Sequence, residues 1–218
     1  MTAEDPIEIN LPGINQVQIF DQVGLTFAAA LRSFLRQDPN IILVGEIRDL
    51  ETAEIAVKAS LTGHMVLSTL HTNDAPSTIS RLLNMGIEPF LVATSLQAIC
   101  AQRLVRRICE YCKQEAETPS HTALLELGFE PEESEEVRVF RGAGCKVCNG
   151  SGYKGRVGLY EVMEITPSIK DAIVTGATAH DLKKIALANG MITLRRSGLQ
   201  KVRDGVTTIE EVVRETVH

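Results

Sequence analysis

Ile41-Ile42-Leu43-Val44 is an unbroken aliphatic run set between Asp38-Pro39 and Gly45. It reads as a strand buried on both faces, the pattern of a parallel sheet covered by helices. Before it, Ile14-Asn15-Gln16-Val17-Gln18-Ile19 alternates apolar with polar and predicts a half-exposed strand. Thr26 can cap a helix running to about Gln37, with Phe27, Leu31, Phe34 and Leu35 on one stripe and Pro39 ending it. Asp49 caps the next helix, Leu50 to about Leu61, where Ala53, Ala56 and Ala59 allow close approach to a sheet and Thr62-Gly63 stops the run. His64 to Leu70 is a second short apolar strand. The order strand, helix, strand makes a βαβ unit, whose right-handed crossover places Glu46 and His71 at one edge of adjacent or near-adjacent strands.

Beyond Asp74 the periodicity is helical: Pro76 to about Met85, stopped by Gly86, then Pro89 to about Arg107 with Phe90, Val92, Ala93, Leu96, Ile99 and Leu104 apolar. Cys100 falls on an apolar face of that second helix and is expected to be a buried small residue. Arg103, Arg106 and Arg107 form a basic end, read as a solvated or subunit-facing surface or as a phosphate contact. Val157 to Ile165 returns as a strand. Thr166-Pro167, Thr178-x-x-Asp181, Thr193 and Thr208-x-x-Glu211 each start a helix, and the four amphipathic helices are expected to form a terminal bundle.

Composition narrows the field. The 218 residues are 44% hydrophobic and 23% charged, ordinary for a soluble globular protein. The net charge of −6 is uneven: Glu110 to Glu136 holds nine Glu and one Lys, net −8, leaving about +2 elsewhere, so no basic face for nucleic acid is implied. There is no long apolar run, and Met-Thr-Ala-Glu-Asp-Pro is unlike a signal peptide, which places the chain in the cytoplasm. Cys109-x-x-Cys112 and Cys145-x-x-Cys148, separated by 32 residues, can supply four thiolates to one tetrahedral zinc ion. Reduced thiols or a redox pair are the alternatives. Gly150 and Gly152 let backbone amides turn toward the sulfurs. Between the pairs, only Leu124, Leu125, Leu127 and Phe129 offer a core, so Val105 to about Gly155 reads as a subdomain stapled by the metal.

Chemistry concentrates at the predicted sheet edge. A carboxylate directly after a dry strand, as Glu46 is, suits a magnesium ion or its water, although an acidic residue can also simply open a loop. His71 taken alone can be a loop histidine with an ordinary hydrogen bond. With the acidic Glu4-Asp5 stretch, polar groups recur where phosphate handling needs them.

These residues carry a resemblance. Glu4-Asp5-Pro6-Ile7-Glu8 resembles the acidic box, Ile41 to Asp49 the Walker B segment, and Thr62-Gly63-His64 through Leu70-His71-Thr72-Asn73-Asp74-Ala75 the histidine box of the secretion and pilus hexameric ATPases. Gly13-Ile14-Asn15-Gln16-Val17, Ala101-Gln102-Arg103-Leu104 and Gly155-Arg156-Val157-Gly158-Leu159-Tyr160-Glu161 extend it over nearly the whole chain. The chain is most similar to the type IV pilus extension ATPases, then to the type II secretion ATPases. The resemblance implies an α/β, RecA-like P-loop NTPase core with an inserted tetracysteine zinc subdomain and a C-terminal helical bundle, divided as 1–104, 105–155 and 156–218. It also implies ATP, Mg2+ and Zn2+, a hexameric ring, and an inner-membrane platform protein as partner, with only peripheral membrane contact. Glu4 would be the general base with Asp5 in support, Glu46 would orient the magnesium shell, and His71 would contact the γ-phosphate. Which carboxylate is the base stays open. His64 would be nucleotide-associated or would pack at the start of its strand.

One departure stands out. The family's Walker A loop, Gly-x-x-x-x-Gly-Lys-Ser/Thr, is absent, and no Lys follows a Gly anywhere in the 218 residues. The expectation is therefore the C-terminal part of a motor, an excised piece or a fragmentary gene, that hydrolyses pilus or secretion ATP only when completed. The alternative is a zinc-containing interaction or assembly module without ATPase activity of its own.

Overall fold

A computed structural model describes residues 1–216. In chain order the elements are β1 (Thr2–Glu4), β2 (Gln16–Gln18), α1 (Phe27–Phe34), β3 (Ile41–Val44), α2 (Leu50–Leu61), β4 (Met65–Ser68), α3 (Ala75–Asn84), α4 (Pro89–Ser95) and β5 (Ala98–Ile108). They continue with β6 (Lys113–Glu115), α5 (His121–Leu127), α6 (Pro131–Glu136), β7 (Phe140–Gly142), β8 (Tyr153–Glu164), α7 (Pro167–Val174), α8 (Ala179–Ala188), α9 (Leu194–Arg203) and α10 (Ile209–Thr216). Two compact units result. The first comprises Met1–Thr72, Pro76–Ile99 and Glu164–Ile185; the second comprises Asn73–Ala75, Cys100–Met163 and the chain from Ala186 onward.

The first unit is built on a sheet of order β2-β1-β3-β4 with every pairing parallel. Caps set the helices where the hydrophobic pattern placed them: Thr26 accepts from the Ala29 amide and Asp49 from the Thr52 amide. Ala28, Leu31 and Phe34 of α1 and Ala53, Ala56 and Ala59 of α2 are buried, as are Ala3, Ile42 and Val44 of the strands. The opposite face is open. Ile41 and Met65, paired across β3 and β4, are 52% and 56% exposed, and Leu67, opposite Leu43, is 43% exposed. The expectation of a strand buried on both faces is thus corrected: among the described residues helices cover one side of it and leave Ile41 half exposed. β1, three residues long, is too short to carry a period of its own in the sequence; it pairs with both β2 and β3.

A second correction concerns Pro89 to Arg107, read as one helix. The helix ends at Ser95, Leu96 is extended with ψ 140°, and β5 follows. Ala101, Leu104, Val105 and Ile108 have helical spacing, but in the strand Ala101, Val105 and Ile108 are buried while Leu104 is 47% exposed. Pairing with β8, a partner far along the chain, overrides the local period. Cys100 accordingly lies exposed on a strand and is not a buried helical residue.

In the second unit β5 pairs with β8, and β6 pairs antiparallel with β7. Leu124, Phe129, Val137 and Val139 form one cluster with Leu199, Val202 and Val212, so the residues between the cysteine pairs take their core from α9 and α10. Glu133 of α6 reinforces this packing by accepting two bonds from Arg196, at 2.5 and 2.7 Å, and one from Arg203 at 3.1 Å. The C-terminal helices do not gather into one bundle: α7 packs on α4 in the first unit, and α9 packs on α10 in the second.

Candidate functional site

Adjacent parallel strands β3 and β4 run in register, so the segments leaving them emerge together. The Ile47 amide donates to Thr69 O at 3.0 Å and Thr69 Oγ1 donates to Gly45 O at 2.7 Å, which ties the two exits. Gly45 itself donates to Ala3 O at 2.8 Å, and a Cβ on it would lie 3.1 Å from that oxygen, a tight contact that the glycine avoids. From this frame His71 Nε2 sits 3.1 Å from Glu46 Oε2, while Arg48 donates to Glu46 Oε1 and lies 3.8 Å from Asp5. The Arg48 hydrogen bond holds the Glu46 carboxyl below the usual carboxylate range, against its partial burial, and His71 adds to the effect. His71 is 87% exposed, free to meet a ligand from solvent, whereas Glu46 is only 15% exposed.

Arg48 lies inside the Ile41 to Asp49 segment, but the sequence reading assigns it no role. Its signal was a cation two residues beyond Glu46, the spacing that returns a side chain to the same side of an extended segment. Glu4 has different partners: Thr2 Oγ1 donates to it at 2.5 Å and Gln16 Nε2 at 2.9 Å, and these bonds, Gln16 foremost, hold its carboxyl low. The register of β1 with β2 puts Glu4 opposite Gln18 and Thr2 opposite Gln16. His64 lies at the other end of β4 from His71. Its Nδ1 is 3.1 Å from Ala59 O and 3.1 Å from Thr62 Oγ1, so it closes the C-terminus of α2. The structure thus gathers Glu46, His71, Arg48 and Asp5, and leaves Glu4 and His64 with bonds of their own.

The cysteines form a second cluster. The Sγ atoms of Cys109, Cys112, Cys145 and Cys148 all lie within 4.8 Å of one another. Individual separations are 3.9 Å for Cys109 with Cys145, 3.8 Å for Cys112 with Cys148 and 3.7 Å for Cys145 with Cys148. A tetrahedron with Zn–S bonds of about 2.3 Å has edges of about 3.8 Å, so the donor set fits zinc in type, number and spacing. The amides of Cys145 and Gly152 donate to Cys148 Sγ at 3.2 and 3.3 Å. These bonds, led by that of Cys145, bring the Cys148 thiol down to about 6, while burial pushes Cys112 up to about 12. Gly152 therefore does aim its amide at sulfur, while the Gly150 amide donates to Cys145 O at 2.9 Å. Gly142 and Gly152 are also indispensable for contact, since a Cβ on Gly142 would fall 2.0 Å from Gly152 O.

Residues 1–214 match the family described as Type II/IV secretion system protein. The chain belongs to that family. Among secretion system relatives it is 60% identical over 215 residues to the type IV pilus assembly ATPase PilB of Myxococcus xanthus, covering 99% of this chain and 38% of that protein. It is 46% identical over 216 residues to the type II secretion system ATPase E of Vibrio cholerae, covering 99% of this chain and 42% of that protein. The chain thus spans about two fifths of the length of these curated relatives. The solved pilus retraction motor PilT with bound ADP superposes with a TM-score of 0.70 at 27% identity, covering 100% of this chain and 52% of that one. The Legionella pneumophila ATPase DotB, at TM-score 0.67 and 21% identity over 97% of this chain and 49% of that one, shows the same α/β fold. In this secretion system protein no helix among the described residues is long and apolar enough to cross a membrane.

Proposed function

We propose that this chain is the C-terminal catalytic part of a hexameric ATPase that powers type IV pilus assembly or type II secretion. The reading rests above all on the pairing of His71 with Glu46 at the carboxyl edge of a parallel sheet, where α/β folds take their ligands. Glu46 and Asp5 offer the hard carboxylate oxygens that suit magnesium through its water, and magnesium when bound neutralises phosphate charge. Glu46 would orient that hydration shell, His71 would meet the γ-phosphate, and Glu4, with Asp5 in support, would take the proton of the attacking water. Arg48 keeps Glu46 ionised and aimed. The four cysteines would hold a structural zinc, and the ring would work against an inner-membrane platform protein from the cytoplasmic side.

No Gly-Lys pair occurs in the 218 residues, so the phosphate cradle would come from another part of a longer protein. Steady-state hydrolysis settles the reading. The full-length protein should hydrolyse ATP and lose at least about a hundredfold in kcat on Glu46→Gln or His71→Ala, the scale of removing a preorganised electrostatic group. The 218-residue chain alone should bind ATP weakly and turn over little. Robust turnover by the chain alone, lost on Glu46→Gln, would show the site to be complete without the cradle. No turnover by the full-length protein would favour a zinc-containing assembly module instead.

A further inference from the structure

Two segments remain outside the proposed chemistry, Ala101-Gln102-Arg103-Leu104 on β5 and Gly155 to Glu161 on β8. Glu161 is only 1% exposed, an uncommon burial for a carboxylate. Its two oxygens are both used. Oε1 accepts from the Ala75 amide at 2.8 Å and Oε2 from the Leu194 amide at 3.2 Å. Those amides stand at the starts of α3 and α9, so the carboxylate receives two of the N–H groups that helix starts leave unpaired. Nearby, Arg103 Nη2 donates to Asn73 Oδ1 at 3.2 Å and to Asn73 O at 3.5 Å. The short segment Asn73–Ala75 belongs to the same compact unit as β5 and β8 beyond Cys100 and is held from both strands.

We propose that Glu161 is a positioning residue for His71, fixing the downstream end of the histidine loop through Ala75, with Arg103 as its second anchor. This rests on the reading above that His71 serves ATP hydrolysis. Ala75 lies four residues after His71, and four residues span at most about 14 Å, so a shift at Ala75 has little slack in which to dissipate before it reaches the imidazole. A neutral amide in place of the carboxylate keeps the shape but offers one acceptor where two amides need one each. The histidine loop then loses a fixed end without losing its residues.

Amide exchange and kinetics test this together. In the 218-residue chain, Glu161→Gln should speed exchange at the Ala75 amide about tenfold while Leu199 and Val202 keep their protection. In the full-length protein the same change should lower kcat roughly tenfold with KM within about twofold, because misplacement of a catalytic group costs rate and spares ground-state binding. If Glu161→Gln does not fold, Arg103→Gln, at a solvent-accessible position, decides by the same two readouts, with kcat down about threefold. Unchanged kcat in the folded variant, or loss of protection across β5 and β8 rather than at Ala75, overturns the proposal. His71→Ala run alongside separates the failures: if it leaves kcat intact, the ATP-site reading falls; if it abolishes kcat while the anchors prove neutral, positioning alone falls.

Discussion

Glu133 shows how one carboxylate can join two stretches far apart in the chain. It accepts both guanidinium bonds of Arg196, a third from Arg203, and itself reaches the Glu130 amide at 3.2 Å to box the start of α6. The Arg196 bonds above all hold its carboxyl low despite burial. We expect Glu133→Gln to cost about 1–3 kcal/mol, mostly from the Arg196 arm, since Arg203 is 53% exposed and its share is screened. With the folded-state value below the unfolded one, this stabilisation is complete above the unfolded carboxyl range, near pH ~4.3, and is lost as pH falls through the lower folded value. Urea unfolding of wild type and variant at neutral pH and near pH 3 checks both statements: the gap between them should close in acid. Glu46, held low by Arg48, obeys the same electrostatics, whereas Glu4 is held low by neutral donors, Gln16 foremost and then Thr2. The partners of Glu46, Arg48 and His71, stand at the carboxyl edge of the sheet, where a ligand can compete for them.

At the level of elements, the insert between the cysteine pairs combines a small apolar cluster with a metal array. Leu124, Phe129, Val137 and Val139 reach a core only by packing on α9 and α10, and four sulfurs at zinc spacing close the other end. Zinc binding should therefore be worth stability to this part and little to the parallel sheet. The purified chain should carry about one equivalent of zinc. Chelation, or Cys112→Ser, should raise exchange in β6, β7 and the Cys145 to Gly152 loop while β3 and β4 keep theirs. Metal analysis under reducing conditions that finds none, or equal loosening of the sheet, would count against this. Strand β5 belongs to the same scale. Its apolar spacing is helical, and only its pairing with β8 makes it extended, so periodicity could not have revealed it.

For the whole molecule the open side of the sheet matters most. Ile41, Met65 and Leu67 stand together on β3 and β4, about half exposed among the described residues, an apolar surface of the kind that recruits further chain. The 218-residue chain should self-associate, and a longer version carrying the rest of the protein should be more soluble and bind nucleotide more tightly. Sedimentation of the two decides it: a monomeric short chain at high concentration would mean that this face is tolerated in water. Much of the architecture was legible from residues alone, because its cues are local. Thr26 and Asp49 cap the helices they open, the aliphatic run at Ile41 to Val44 makes a strand, and paired Cys-x-x-Cys knuckles announce a tetrahedral site. The βαβ order also brought Glu46 and His71 to one edge, since a crossover helix returns the chain to run parallel, with both strands ending on the same side. What needed the tertiary structure were relations between distant residues: β1 slotting between β2 and β3, β5 choosing extension, α7 leaving α9 and α10, and Glu161 buried between two helix starts. Hydrogen bonds and burial across 30 to 90 positions leave no period in the sequence, so only the folded chain could decide them.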